Sequence, residues 1–151
     1  RALEARLAWV SGGPHGPGRG EVGPRGQEAR TDVVDVAHAY DADGTGYSLV
    51  QVQLRSGRRH QIRLHMCHEG HPLVGDALYG GGATPWCPRM FLHAHRLALD
   101  LAGRLPGPPA PVDARAPLPD DLSGALAALV GGDARSRAAL AQWRGGGDGA
   151  Q

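Results

Sequence analysis

The 151-residue chain contains no lysine and no asparagine, and Ile62 is its one isoleucine. All 16 basic residues are therefore arginine, a bias that a GC-rich coding sequence produces without selection on the surface, and it supports no functional reading. A charge of one sign is also lacking. The 16 basic residues face 15 acidic ones and leave a formal charge of +1. The surface as a whole is not the broad cationic field that unaided wrapping of DNA or of a membrane requires, so any basic function must be local. Two cysteines, Cys67 and Cys87, are too few for a disulfide framework. They make a reducing compartment the default, the cytoplasm or alternatively an organelle. No apolar stretch approaches the roughly 18 residues of a membrane span, and no charged-then-apolar leader opens the chain. With Arg1 in place of an initiator Met, the expectation is a soluble piece of a longer protein, with neither a membrane nor DNA as partner.

Glycine and proline are plentiful, at 24 and 12, but seven glycines and three prolines fall between Gly12 and Gly26. Such clustering marks a loop in an otherwise folded chain. The length suits one domain with a core of its own.

Along the chain, Ala5–Val10 reads as a strand, followed by a flexible Gly/Pro loop over 12–26 that carries Arg19 and Arg25. β-Branched enrichment over Thr31–Tyr40 and the alternation of Val50, Val52 and Leu54 within Tyr47–Arg55 predict two strands. The turn residues between Asp41 and Gly46 make them an antiparallel hairpin. From about Arg59 the period lengthens, with Ile62 and Met66 one helical turn apart, and Gly70 and Pro72 stop the helix. A loop over Gly80–Pro88, a strand over Phe91–Leu101 and a Pro-rich surface connection over Pro106–Pro119 follow. Leu122, Leu126 and Leu129 share one helical face, and Asp133 can cap a last helix that reaches Trp143. The expected class is α+β: a largely antiparallel, mixed sheet with flanking helices. One domain spans 1–130, a terminal helix 131–144 and a disordered tail 145–151.

The chemistry concentrates in Leu54-Arg-Ser-Gly-Arg-Arg-His-Gln-Ile-Arg-Leu-His-Met66, which sets Arg55, Arg58, Arg59 and Arg63 on a strand-to-helix turn. Guanidinium forks and a helix N-terminus both suit phosphate oxygens, and Arg63, one helical turn in, points elsewhere than Arg58 and His60. Composition alone leaves two readings open, a solvated charged turn and a nucleic-acid patch.

The same segment resembles the RluA-type RNA pseudouridine synthases. Ser56-Gly-Arg-Arg-His-Gln-Ile-Arg-Leu-His65, then Gly70-His-Pro-Leu-Val-Gly-Asp-Ala-Leu-Tyr-Gly80, carry the resemblance. Gly26-Gln-Glu-Ala-Arg-Thr31, Leu92-His-Ala94 with Leu97, and Ala116-Pro-Leu-Pro-Asp-Asp-Leu122 are similar to further family segments. The likeness runs from about Ala5 to Leu129 and implies the C-terminal half of such a catalytic domain. It implies cofactor-free isomerisation of uridine to pseudouridine in structured rRNA or tRNA: an aspartate attacks, uracil leaves the ribose, turns, and rejoins through carbon. The target base must first be flipped out of its stack. The family pairs its aspartate with the arginine that matches Arg63, keeping the carboxylate ionised in a dry pocket. Arg58, Arg59, His60 and Arg55 are then candidates for RNA contact, with Arg58, Arg59 and His60 also ordering the turn.

Two departures stand out. The family's nucleophile lies in a His-Arg-Leu-Asp segment that this sequence does not contain, so the isolated chain is expected to be inactive without the N-terminal half of the domain. Glu4 and Arg6 also stand where the family has the lysine and tyrosine of Lys-x-Tyr-x-Ala-x-Val-x-Gly. A non-catalytic RNA-binding module of the same fold is the rival reading, and a scaffold without ligand a third.

Other candidates are weaker. Asp76 beside Gly75 reads as a turn residue and Tyr79 as a ring packed under the Gly80–Gly82 loop. His60, His65, Cys67, His68 and His71 crowd together, but they lack Cys-x-x-Cys spacing, and His65 and Cys67 cannot face one ion from a helix, so no metal is expected. Trp9, Trp86 and Trp143 read as core or loop anchors.

Overall fold

A computed structural model describes residues 1–11, 18–100 and 111–145. Its elements are β1 (Ala2–Val10), β2 (Arg19–Val22), β3 (Gln27–Tyr40), β4 (Gly46–Leu54), α1 (Gln61–His68), β5 (Arg96–Leu99), β6 (Val112–Arg115), α2 (Asp120–Ala127), β7 (Val130–Gly131) and α3 (Ala134–Arg144). A single 3-10 turn, Ala77–Tyr79, lies between α1 and β5. The main sheet runs β2-β1-β3-β4, β7 pairs with the far end of β3, and β5 and β6 form a separate two-stranded ribbon. Every strand pair is antiparallel. The class is α+β, as the periodicities imply.

The central hairpin forms where its turn chemistry places it. The Asp41 carboxylate accepts from the backbone N–H groups of Asp43 and Thr45, and Gly44 takes the positive φ of 79° that closes the turn. Within this ribbon the register slips once, between Val33 and Asp35, while β4 runs on without interruption. Residues directly opposite share a face, so Thr31 lies with Leu54 and Ala39 with Tyr47. Leu54 and Tyr47 are an odd number of positions apart on β4 and therefore point to opposite sides. The bulge thus turns the buried residues of β3 from one face to the other. Ala29 packs with Leu7, Leu64 and Tyr79 under α1, whereas Ala39 packs with Leu126, Leu129 and Leu140 of the C-terminal helices. Leu122, at 0% exposure, completes that second layer with Cys87 and Ala125.

Several expectations need correction. The loop over 12–26 contains a strand: β2 pairs with β1 from Leu7↔Val22 to Val10↔Arg19. Its glycines hid it, and Gly20 is needed there because a Cβ would stand 2.5 Å from Leu64 Cδ1. Residues 12–17 lie outside the described residues. The strand expected over Phe91–Leu101 is confined to Arg96–Leu99, because Phe91 is drawn into the core beside Leu118 and Trp86. Val112–Arg115, assigned to a surface connection, pairs with it as β6. Val130–Gly131 is a short strand, so the last helix begins at Ala134, where Asp133 caps it by accepting from Ser136 N–H. Of the expected tail over 145–151, all but Gly145 lies outside the described residues.

Candidate nucleic-acid interface and active-site arginine

The turn between β4 and α1 is assembled by one buried amide. Gln61, 3% exposed, donates through Nε2 to the Arg30 carbonyl and to Thr31 Oγ1. Its Oε1 accepts from Ser56 Oγ and from Arg58 N–H. Strand β3, the Ser56–Arg58 turn and the first turn of α1 are thereby held as one unit. His60 caps α1 in the left-handed region, φ 55°, a backbone conformation that histidine tolerates better than most side chains.

His60 turns inward. Its Nε2 lies 3.1 Å from Arg63 Nη1 and its Nδ1 2.9 Å from Tyr79 Oη. A guanidinium nitrogen can only donate, so Nε2 is the acceptor and the imidazole is the neutral Nδ1–H tautomer, donating to Tyr79. Burial, followed by the charges of Arg63 and Arg59, lowers its pKa and favours this form. Tyr79 Oη also accepts from Gly20 N–H at 2.8 Å, so its ring reaches towards β2 and the core instead of packing under the following glycines.

Arg63 is the fixed point of the site. Its Nε and Nη2 donate to Asp76 Oδ2 and Oδ1 at 2.8 and 2.7 Å, and its guanidinium carbon lies 4.8 Å from the Tyr79 ring centroid. The Asp76 side chain is 0% exposed and that of Arg63 16%. Hydrogen bonding to Asp76 holds the Arg63 pKa above its usual value. Asp76 is the turn residue its neighbours suggest, accepting from Tyr79 N–H, and it also anchors this arginine. The bidentate pair with Asp76 and the bond to His60 Nε2 engage three of the guanidinium's five N–H groups and leave two unused.

Arg58 and Arg59 flank a cavity of about 380 Å³, within the range of ligand sites. Arg25 adds a third guanidinium, while Leu7, Ala8 and Trp9 supply apolar wall. Arg59 lies over the Trp9 ring, its guanidinium carbon 3.6 Å from the centroid, and His60 meets the same indole edge-on at 5.3 Å. Trp9 therefore stands beside the arginine turn and is no remote core anchor, in contrast to Trp86 and Trp143, which pack on Tyr47 and His95. Arg58 donates to the Glu28 carbonyl. Among the described residues, no carboxylate pairs with Arg25, Arg58 or Arg59. Arg55 is set apart: it donates to Asp32 Oδ2 at 2.6 Å at the end of β4, in a chain of ion pairs with Arg30 and Glu4. Arg19 lines a different groove, with Leu64, Cys67 and Tyr79. Arg6 pairs with Glu28 across β1 and β3, on the face away from α1.

Sequence reasoning missed Trp9, Asp76 and Gln61 as parts of this site. Gln61 was legible within the motif as a non-charged residue among arginines. Trp9 and Asp76 carried no local signal. Among the described residues no three His, Cys, Asp or Glu side chains gather closely enough to hold a metal ion.

No protein-family model matches the chain. An uncharacterized RNA pseudouridine synthase of Bacillus subtilis is 44% identical over 82 residues, which is 54% of this chain and 26% of that protein. Another from Chloroflexus aurantiacus is 42% identical over 110 residues, 70% of this chain and 31% of that protein. Ribosomal large subunit pseudouridine synthase D of Haemophilus ducreyi is 37% identical over 98 residues, 55% of this chain and 28% of that protein. The solved structure of human RNA pseudouridylate synthase domain containing 1 superposes with a TM-score of 0.61 at 27% identity, covering 87% of this chain and 53% of that one. The fold is thus that of a pseudouridine synthase domain. The chain is similar to RNA pseudouridine synthases of the RluA type, and its partial coverage fits the C-terminal half of the catalytic domain. It spans about a quarter to a third of the length of these three curated relatives.

Proposed function

We propose that this chain supplies the arginine-bearing, RNA-gripping half of a pseudouridine synthase site that isomerises uridine in structured rRNA or tRNA in the cytoplasm. The nucleophilic aspartate comes from the N-terminal half of the same domain. In this reading the aspartate carboxylate attacks C1′ as the N1–C1′ bond of uridine breaks, and C5 of the turned uracil then bonds to C1′ as the carboxylate–C1′ bond breaks and frees the aspartate. The C5 proton leaves and N1 ends protonated, so the reaction is a balanced isomerisation without cofactor. The flipped base is reached through a groove whose cations hold the backbone: Arg58 and Arg59 with Arg25, and Arg55 at the margin.

The observation that carries the reading is the state of Arg63. A guanidinium fixed on two sides, by Asp76 and by neutral His60, still offers two N–H donors from a site with little water. An incoming carboxylate there meets a preorganised partner that opposes its protonation. The rival reading, a non-catalytic RNA-binding module, is favoured by one fact: Asp76 already balances the Arg63 charge. The full-length protein separates them. Arg63→Ala is expected to abolish release of tritium from [5-³H]uridine-labelled RNA while changing RNA affinity less than about threefold, since phosphate contacts carry the affinity. Unchanged turnover with a large loss of affinity would refute the assignment.

A further inference from the structure

We propose that Arg59, lying over Trp9, is a stacking platform for one unpaired base of an RNA strand, with Arg25 and Arg58 meeting the phosphates on either side. The inference rests on the RNA-binding reading above and adds a nucleotide subsite to it, separate from Arg63.

Three observations carry it. First, the Arg59 guanidinium carbon lies over the Trp9 ring, 3.6 Å from its centroid, a contact that restrains an otherwise flexible side chain. The chain also closes on the indole at Gly18, where a Cβ would stand 2.6 Å from Trp9 Nε1. Trp9 is therefore occupied, and the outer face of Arg59 is the surface left to a ligand. Second, Arg59 is exposed and, among the described residues, pairs with no carboxylate, although nine of the fifteen described arginines do. Charge of this kind is left unneutralised at Arg25, Arg58 and Arg59 around one cavity in a protein whose net charge is only +1. Third, apolar residues, Ala8 and Trp9 among them, stand in the cavity lining beside the three guanidinium groups. A free phosphate has no use for such a wall, whereas a base presents an apolar π-face together with a phosphate on each side. Bases stack on guanidinium planes as well as on aromatic rings, and only an unpaired base has a face to offer.

The test is equilibrium binding of the 151-residue chain to a fluorescein-labelled oligouridylate and to an abasic ribose-phosphate oligomer of the same length. Arg59→Lys keeps the charge and removes the plane. It is expected to weaken oligouridylate binding on the order of tenfold, the scale of one lost base stack, and to leave the abasic oligomer within about twofold. Arg58→Ala, which removes a phosphate contact and no stacking plane, should weaken binding of both oligomers alike and make it less sensitive to salt. Both side chains are exposed, and unchanged thermal melts verify that each variant folds. Wild-type affinity of Arg59→Lys for oligouridylate, or an equal deficit on both oligomers, overturns the platform while leaving RNA binding intact. Failure of the wild-type chain to bind either oligomer overturns the RNA-binding reading and the platform with it.

Discussion

Arg63 and Asp76 illustrate how two charges are kept together out of water. Desolvating either alone is costly, and the bidentate geometry at 2.7 and 2.8 Å offsets that cost only while both partners remain. Asp76→Ala is therefore expected to destabilise the chain by about 3 kcal/mol or more, because it strands Arg63 and uncaps the Ala77–Tyr79 turn together. A urea titration reads this as a lower midpoint at unchanged slope. The importance of Arg63 was legible from its place in an ordered motif. Its partner was not, since nothing in the twelve positions between the two residues tells a turn aspartate from an ion-pair aspartate. Trp9 was less legible still. Its contact, Arg59, lies fifty positions away, and only the pairing of β1 with β3 and the packing of α1 on that sheet bring the two side chains together.

At the scale of elements, the one-residue bulge in β3 allows two separate cores. Val34 is 57% exposed, so its side chain contributes little by burial, yet its backbone position decides which face Ala37 and Ala39 occupy. Val34→Ala is expected to change stability by less than about 0.5 kcal/mol. Deletion of Val34 should abolish the cooperative thermal transition, because it turns Ala37 and Ala39 away from Leu126, Leu129 and Leu140. Differential scanning calorimetry of the two variants tests the contrast. The long strands of the central hairpin, its turn and all three helices announced themselves by periodicity and caps. Strands β2, β6 and β7 did not: each is four residues or fewer, glycine-rich or flanked by proline, and exists by pairing with a longer neighbour.

At the scale of the whole molecule, the ribbon of β5 and β6 presents Leu97 and Leu99, opposite Ala114 and Val112, on one exposed face, with Leu97 at 54%. Two strands with an open apolar face associate in water. Leu97→Gln combined with Leu99→Thr is expected to raise the concentration at which the chain remains monomeric several-fold, without a lower melting temperature. Light scattering over a concentration series measures it, and unchanged association would show that another surface is responsible. The distribution of charge belongs to this scale too. A near-neutral composition excluded a global cationic field, and the surviving possibility, a local one, is realised where Arg25, Arg58 and Arg59 line one cavity and, among the described residues, pair with no carboxylate.

The amino-acid order by itself determined the α+β class, the central hairpin, the three helices and the family resemblance, because periodicity, turn chemistry and an ordered motif are properties of neighbouring residues. Only the tertiary structure decided which cations are neutralised, what holds Arg63 and His60 in place, and that an indole lies under Arg59. Ion pairing and ring contact act over a few ångströms in space, and the chain brings those partners together only after the sheet has closed.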